Sequence, residues 1–303
     1  MLFYKFIVYV KVMSNFFNKN TYEAIKKNEG SPKKILNFIP QDFCQELLDF
    51  RNSRSKKMVD REESTKVPFL FDESSITQTL KNKIKETVGE FFIKDFEPHF
   101  ITTRFPLRLH ADTGKDPNDI IFKNIVVPLE INHNEKKNKK KSSHTIIFKN
   151  KWYEQSAIFT TKTTQNYDFI IKDYKGNFTD IINIFDFKEK VDQKNNEILK
   201  YKNNDFFVDQ QFKEYVLMLS KTKRYNRRTD KHILHDTNIK IEDYEKYMTH
   251  QPFEDCKGLE IDCALAWEPG ALLTWDRVRI HSSDNFLKNG IINKTCIALF
   301  SSK

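Results

Sequence analysis

Cysteine is scarce in this chain, and its spacing excludes several kinds of site. Four cysteines occur among 303 residues, and no two of them form a Cys-x-x-Cys pair. A zinc ribbon or a thioredoxin-type redox site is therefore not supported, and a disulfide scaffold of this length would need more of them. We expect buried, reduced thiols in a cytoplasmic protein, of a bacterium or of a virus-infected host cell. The cysteines are Cys44, Cys256, Cys263 and Cys296.

Glycine, proline and long apolar runs are also rare. Seven glycines and nine prolines exclude a collagen-like or proline-rich chain. No stretch approaches the roughly 18 to 20 uncharged apolar residues that a membrane-spanning helix needs. The apolar start, Met1 to Met13, contains Lys5 and Lys11 and lacks the small-residue cleavage site of a signal peptide. We therefore expect no membrane association.

Aromatic residues and positive charge are abundant instead. Aromatic residues make up 14% of the chain and include 27 phenylalanines, which is too apolar for a disordered protein. The net charge is +9, with basic clusters at Lys136–Lys141 and Lys221–Lys231. Clustered Lys and Arg can contact nucleic-acid phosphates, whereas most charge runs are solvated loops. A nucleic-acid-binding or nucleic-acid-modifying protein is therefore one alternative, and it is not the favoured one.

The order of apolar patterns predicts helices first and strands later. Gln41–Phe50 and a segment from Ile76 to Phe91 place apolar residues on one helical face. After Pro98, short β-branched or aromatic runs separated by polar turns predict strands, from Phe100–Leu109 to Lys294–Phe300, and Ile241–Met248 is predicted to form a short helix. We expect a mainly β fold, a sandwich or barrel with the helices packed on one side. The expected division is an N-terminal helical region over 1–95 and a β core over 96–303, with an insertion around 177–251.

Two chemical motifs lie in the β region. His110-Ala111-Asp112 forms a His-x-Asp motif at the end of a predicted strand, and residues two apart in a strand point to the same side. Near the C terminus, a Pro-Gly turn leads through an apolar strand to His281. Thirteen residues later Lys294 opens the last strand, on the face of Cys296 and Ala298. A lysine on an apolar face lies near an edge or meets an anion, because an unpaired buried ammonium is costly.

In this order, the motifs resemble those of the 2-oxoglutarate- and Fe(II)-dependent dioxygenases. The segments Lys123–Leu129, His144–Phe148 and Asp276–Phe286 are also similar to prolyl-hydroxylase-like members, including those of phages and marine bacteria. The resemblance covers roughly Phe96 to Phe300. It implies a double-stranded β-helix, or jelly-roll, core.

The resemblance also implies an activity and a set of site residues. His110, Asp112 and His281 would be the metal ligands, since two imidazoles and one carboxylate form the facial triad of non-haem Fe(II) oxygenases. Lys294 would bind the distal carboxylate of 2-oxoglutarate, and Thr145 would lie near this co-substrate. With O2, such an enzyme hydroxylates an aliphatic C–H and releases succinate and CO2. The substrate would be a protein side chain or a small metabolite.

Some departures and alternatives remain open at the level of sequence. Asp112 and His281 are 169 residues apart, a long separation for this family, and Lys294 stands where many members carry Arg. Arg277 and Arg279 could hold a substrate anion or line the surface. Ser283 and Asn285 could orient His281 or simply form a turn, and the His232/His235 pair is interpreted as a surface feature. A catalytically silent jelly roll that binds a partner is the other alternative.

Overall fold

A computed structural model describes the parts of the chain that build one β core and its coverings. The described residues are 27–54, 58–60, 64–89, 98–112, 122–134, 142–151, 157–158, 168–172, 178–183, 239–256 and 258–301.

Fourteen strands are present among these residues. In chain order they are β1 (Lys33–Ile35), β2 (Val59–Asp60), β3 (Ser64–Pro68), β4 (His99–Thr103), β5 (His110–Ala111), β6 (Lys123–His133), β7 (His144–Lys151), β8 (Ala157–Ile158), β9 (Asp168–Lys172), β10 (Phe178–Asn183), β11 (Ile261–Ala266), β12 (Leu272–Asp276), β13 (Arg279–Ser283) and β14 (Ile291–Ser301). They form a seven-stranded major sheet, a five-stranded minor sheet and a separate β9–β10 pair.

The two large sheets have the connectivity of a jelly roll. The major sheet has the order β1-β12-β6-β14-β4-β3-β2 and the minor sheet β11-β7-β13-β5-β8, with every pairing antiparallel. Strands β4 to β7 alternate between the two sheets, and so do β11 to β14. The predicted mainly β, jelly-roll fold class is therefore confirmed.

Two helices cover the outer face of the major sheet. Helix α1 (Gln41–Ser53) buries Phe43 and Leu47, and helix α2 (Ser75–Val88) buries Leu80 and Ile84. Their apolar residues join those of β4, β6 and β14 in one cluster. Ser74 begins α2 with a capping box, in which its hydroxyl accepts a hydrogen bond from the Thr77 backbone N–H.

The opposite side of the core is covered by a later segment of the chain. A short helix α3 (Ile241–Asp243) continues as a π-helical turn over Tyr244–Met248, followed by a 3-10 turn over Phe253–Cys256. Met248 and Leu259 pack with residues of β5, β7 and β13 on the outer face of the minor sheet. The short helix predicted at Ile241–Met248 is thus present.

Between the sheets lies a third apolar cluster, to which both sheets contribute alternate residues. Ile147 on β7 faces it, whereas Ile146 and Phe148 face outward. On β14, Cys296 and Ala298 face inward, whereas Ile297 and Leu299 pack under the helices. This period-two alternation determines which side chains can meet in the interior.

Some sequence predictions differ from the structure or lie outside the described residues. The strand predicted over Phe100–Leu109 ends at Thr103, because Pro106 has no N–H for a ladder and also restricts Phe105 before it. The start of the chain, both basic clusters and the His232/His235 pair lie outside the described residues, and the predicted insertion is described only at 178–183 and 239–251. Within the described residues, no helix is both long and apolar enough to cross a membrane.

Candidate metal and co-substrate site

His110 begins β5, a two-residue strand that lies between β13 and β8 in the minor sheet, and Asp112 follows this strand directly. β5 pairs with β13 at a single position, where His110 lies opposite His281. Leu109 and Ala111 are fully buried in the cluster outside the minor sheet. Because side chains alternate along a strand, burial of these two residues turns His110 and Asp112 to the other side.

His281 reaches the same point from β13. Ile280 is buried on the outer face, so His281 faces inward, opposite both His110 on β5 and Ile147 on β7. Its ring centroid lies 4.1 Å from that of His110 and 5.0 Å from that of Trp275. The sheet therefore brings together two histidines that are 171 residues apart in sequence.

The three side chains form a compact group of potential metal ligands. One ligand atom from each of His110, Asp112 and His281 lies within 4.8 Å of the other two. The Asp112 carboxylate lies 3.0 Å from His281 Nε2 and 3.9 Å from His110 Nε2. The side chain of His281 is only 5% exposed, whereas those of His110 and Asp112 are 20% and 25% exposed. The group is therefore buried on one side and open on the other.

The hydrogen bonds of both imidazoles determine which ring nitrogen is free. Nδ1 of His110 donates to the Arg108 carbonyl at 2.6 Å, and Nδ1 of His281 donates to the Arg279 carbonyl at 3.0 Å. Burial, followed by the charge of His281, lowers the pKa of His110 to about 4, so His110 is neutral at pH 7. Its Nε2 thus presents a lone pair towards a carboxylate, an arrangement that a bound cation would complete.

Asp112 is held ionised and in a fixed orientation. Burial opposes its ionisation, but the electrostatic interactions with His110, His281 and Arg277 together outweigh burial and lower the pKa of Asp112. Asn124 on β6 donates from Nδ2 to Asp112 Oδ2 at 3.2 Å. The buried guanidinium of Arg277 donates from Nε to the Asp112 carbonyl at 2.8 Å and stacks on the Phe300 ring at 4.2 Å.

Lys294 lies in the interior rather than at an edge. It is only 1% exposed, and its Nζ donates to Ser143 Oγ at 2.9 Å. The ammonium lies 3.8 Å from the centroid of the Trp267 ring and 5.0 Å from that of Phe286, which is cation–π geometry. Burial lowers the pKa of Lys294 to about 8, although the nearby Asp284 acts in the opposite direction. Among its three N–H donors, one is used by Ser143.

Thr145 on β7 lies between the surroundings of Lys294 and the position of His281 on the neighbouring strand β13. Its hydroxyl accepts a hydrogen bond from Trp267 Nε1 at 2.8 Å, and this is the Trp whose ring faces Lys294. On β7, Thr145 lies opposite Ser283, and Ile147 lies opposite His281. A two-residue step along a strand is about 7 Å. Thr145 is therefore displaced from the position of His281 by one such two-residue step along the strand direction.

Other residues singled out in the sequence have different roles. Arg279 forms an ion pair with Asp262 at 2.5 Å, near the surface. Ser283 donates its backbone N–H to the Leu107 carbonyl, and Asn285 donates to Thr249 Oγ1. The His281 ring is oriented instead by the Arg279 carbonyl.

Sequence reasoning misses Asn124, Trp267 and Asp284 as parts of this site. For Trp267 the sequence shows only a position beside an apolar strand, which is typical of a core residue. Asn124 lies 12 residues from Asp112, Trp267 lies 27 residues from Lys294, and Asp284 lies 141 residues from Ser143, so no local pattern marks these contacts. Among the residues that surround the three candidate ligands, Arg277 is one that the sequence analysis did single out, and it contacts the Asp112 backbone.

Comparisons with known proteins give a fold-level likeness only. No protein-family model matches the sequence, and no curated protein matches it. Among solved structures, a Pseudomonas putida prolyl-4-hydroxylase aligns over 93% of this chain and 97% of its own, with 10% identity and a TM-score of 0.38. HygX from Streptomyces hygroscopicus, with nickel and 2-oxoglutarate bound, aligns over 94% and 87%, with 9% identity and a TM-score of 0.39. EctD from S. alaskensis, in its apoform, aligns over 92% and 75%, with 9% identity and a TM-score of 0.39.

Proposed function

We propose that this protein is a 2-oxoglutarate- and Fe(II)-dependent dioxygenase. The observation that carries the proposal is the convergence of His110, Asp112 and His281 on one point, with Lys294 buried in the same interior. Two imidazoles and a carboxylate suit Fe(II), and they leave positions open for other ligands. With 2-oxoglutarate bound, Fe(II) supplies O2 activation: a substrate R–H, 2-oxoglutarate and O2 give R–OH, succinate and CO2.

The side chains of this protein bind the metal, and their neighbours hold these side chains in a fixed orientation. His110 and His281 bind the metal through Nε2, while the Arg108 and Arg279 carbonyls fix their rings. Asp112 supplies the carboxylate in an orientation held by Asn124. Outer contacts of this kind tune ligand geometry and affinity.

Lys294 recognises the co-substrate. Its ammonium has donors beyond the one given to Ser143, and these bind the distal carboxylate of 2-oxoglutarate in a charge-assisted contact. The surrounding Trp267 and Phe286 rings exclude water, which strengthens this contact. Thr145 holds the Trp267 ring against the lysine. The oxidised substrate is an aliphatic C–H of a protein side chain or of a small metabolite.

Anaerobic addition of Fe(II) and 2-oxoglutarate tests the proposal. We expect a weak visible charge-transfer band in the wild-type protein, no band in His110→Ala, and a much higher 2-oxoglutarate concentration for half-saturation in Lys294→Ala with metal uptake retained. His133→Ala, at the end of β6, and Lys81→Ala, on the exposed face of α2, are the matched controls. A wild-type protein that shows no band would point instead to a silent jelly roll, and a His110→Ala band of normal strength would refute the metal-ligand assignment.

A further inference from the structure

Behind Lys294 lies a buried chain of polar groups that metal binding and the direct co-substrate contact do not account for. Ser143 Oγ accepts from Lys294 Nζ at 2.9 Å and donates to Asp284 Oδ1 at 2.8 Å. The other carboxylate oxygen, Oδ2, lies 3.2 Å from His144 Nδ1 and 3.5 Å from Asn289 Nδ2. Asp284 is 1% exposed and Ser143 is fully buried. Two opposite charges are therefore buried with one hydroxyl between them.

The direction of these hydrogen bonds is fixed by chemistry. An ammonium can only donate and an ionised carboxylate can only accept, so the Ser143 hydroxyl must accept from Lys294 and donate to Asp284. The backbone holds the chain together, because Asp284 N–H donates to the His144 carbonyl and Trp267 N–H donates to the Ser143 carbonyl. The groups thus come from the ends of three minor-sheet strands and from β14.

An interposed hydroxyl has a different effect from a direct ion pair. A carboxylate in contact with Lys294 would compete with an incoming carboxylate for the ammonium. With Ser143 between them, Asp284 still offsets the cost of burying the charge of Lys294. The remaining N–H donors of Lys294 stay free for a ligand, beside the Trp267 ring.

We propose that Asp284 is a positioning residue for co-substrate recognition: through the Ser143 hydroxyl, its buried carboxylate holds Lys294 in place and keeps it charged until a dicarboxylate binds. This inference rests on the proposed function, because it assumes that Lys294 binds the distal carboxylate of 2-oxoglutarate. His144 and Asn289 in turn fix the carboxylate of Asp284.

The ionisable groups around Lys294 set how binding should depend on pH. Asp284 and Cys296 face it, and His250 is close enough for Lys294 and Asp284 to influence the pKa of His250. His144 lies behind Asp284. Burial lowers the pKa of Lys294 to about 8, and Asp284 limits that fall. Removing the charge of Asp284 should therefore lower the pKa of Lys294 further, so that the ammonium is lost at a lower pH.

Calorimetric titration of 2-oxoglutarate into the Mn(II)-loaded protein, from about pH 6.5 to about pH 9, tests this. In the wild-type protein we expect the affinity to fall above about pH 8, by about tenfold per pH unit. In Asp284→Asn the fall should begin about one unit lower, so that binding is roughly threefold weaker than in the wild-type protein near pH 7.5 and roughly tenfold weaker near pH 9. Asp72→Asn removes an exposed carboxylate of the Lys81 ion pair and should leave the profile unchanged.

A second variant separates the hydroxyl from the charge. Ser143→Ala keeps both ionised groups but removes the bridge, and we expect several-fold weaker binding at every pH. An Asp284→Asn profile that overlays the wild-type profile would overturn the inference, and so would unchanged affinity in Ser143→Ala if Asp284→Asn does not fold. Failure of the wild-type protein itself to bind 2-oxoglutarate would overturn the proposed function instead.

Discussion

Both histidines of the candidate site are held by the same local hydrogen-bonding pattern. Arg108-Leu109-His110 and Arg279-Ile280-His281 are two copies of an Arg-apolar-His tripeptide, and in each the imidazole Nδ1 donates to the carbonyl of the arginine. The apolar residue in the middle is fully buried outside the minor sheet. The tripeptide therefore turns the ring inward and leaves Nε2 free. This repeat is a sequence signal that could have supported the pairing of the two histidines.

Thr145→Val tests whether the Trp267 ring needs its hydrogen bond. Valine has nearly the same shape but cannot accept from Trp267 Nε1, so a buried N–H loses its partner, at a cost of about 1–3 kcal/mol in the free energy of unfolding. We also expect a several-fold weaker affinity for 2-oxoglutarate, because the ring that faces Lys294 is no longer fixed. Urea unfolding and calorimetric titration measure the two effects.

Thr145→Ser is the matched control for that prediction. Serine keeps the hydroxyl and loses only a methyl group, so its affinity for 2-oxoglutarate should stay close to that of the wild-type protein. Equal affinities in the valine and serine variants would mean that the hydrogen bond has no part in co-substrate binding.

At the scale of elements, periodicity is a sound guide to the fold but does not reveal side-chain contacts. The apolar spacing from Ile76 to Val88 and the β-branched and aromatic run His144–Phe148 correspond to α2 and β7. Both patterns are local, since each reports on the residues of a single element. The pairing of β13 with both β5 and β7 is not local, and it is this register that brings His281 to His110.

For Lys294 too, the sequence pattern indicates which way the side chain faces but not which residues it contacts. Its inward face could be inferred from Cys296 and Ala298, which follow it at period two. Its contacts with Ser143, Trp267 and Asp284 could not, because they join the ends of three other strands. The sequence therefore predicts that this lysine lies near an edge or meets an anion, but not that the fold buries it with the carboxylate of Asp284 behind it.

Gly270→Ala should destabilise the turn before β12, which packs against the residues that precede α1. Gly270 has a φ of 84°, and a Cβ there would lie 2.4 Å from the Ile39 carbonyl oxygen. The same two residues are hydrogen-bonded, since Ile39 N–H donates to the Gly270 carbonyl at 2.9 Å. We expect a loss of several kcal/mol in the free energy of unfolding, roughly 1–2 of it from the left-handed backbone alone. Urea unfolding measures the loss.

Gly89→Ala separates those two contributions. Gly89 follows α2 with a φ of 85°, but no atom lies within 4 Å of the point that a Cβ would occupy there. With ψ at −177° its backbone lies in a region that essentially only glycine adopts, so this variant should lose about 1–3 kcal/mol from backbone strain alone. If both glycine variants lose the same amount, the close approach of Ile39 does not contribute.

At the scale of the whole molecule, burial of Lys294 makes stability depend on pH. The pKa of this lysine is about 8 in the folded protein and 10.5 in its ordinary state. The unfolded chain therefore binds the proton more tightly, and the free energy of unfolding should rise with pH through this range. The full shift corresponds to roughly 3 kcal/mol.

Comparison with Lys294→Met isolates this effect. The thiols of Cys44, Cys263 and Cys296 have raised pKa values because of burial, which is partial for Cys263, and they act in the opposite direction at alkaline pH, but wild type and variant share them. Relative to the variant, the metal-free wild-type protein should gain about 2 kcal/mol between about pH 7 and about pH 10. Urea unfolding in the presence of a chelator measures the difference. A gap between the two proteins that stays constant with pH would show that Lys294 is not buried as described.

The brevity of β5 gives the candidate metal a mechanical role besides a chemical one. This strand has two residues, and a single register position, that of His110 and His281, joins it to β13. An ion shared by these two side chains would link β5 to β13 at the one register position where the two strands pair. Occupancy of the centre could then be measured without an activity assay, as slower amide exchange at Ala111 and Ile280.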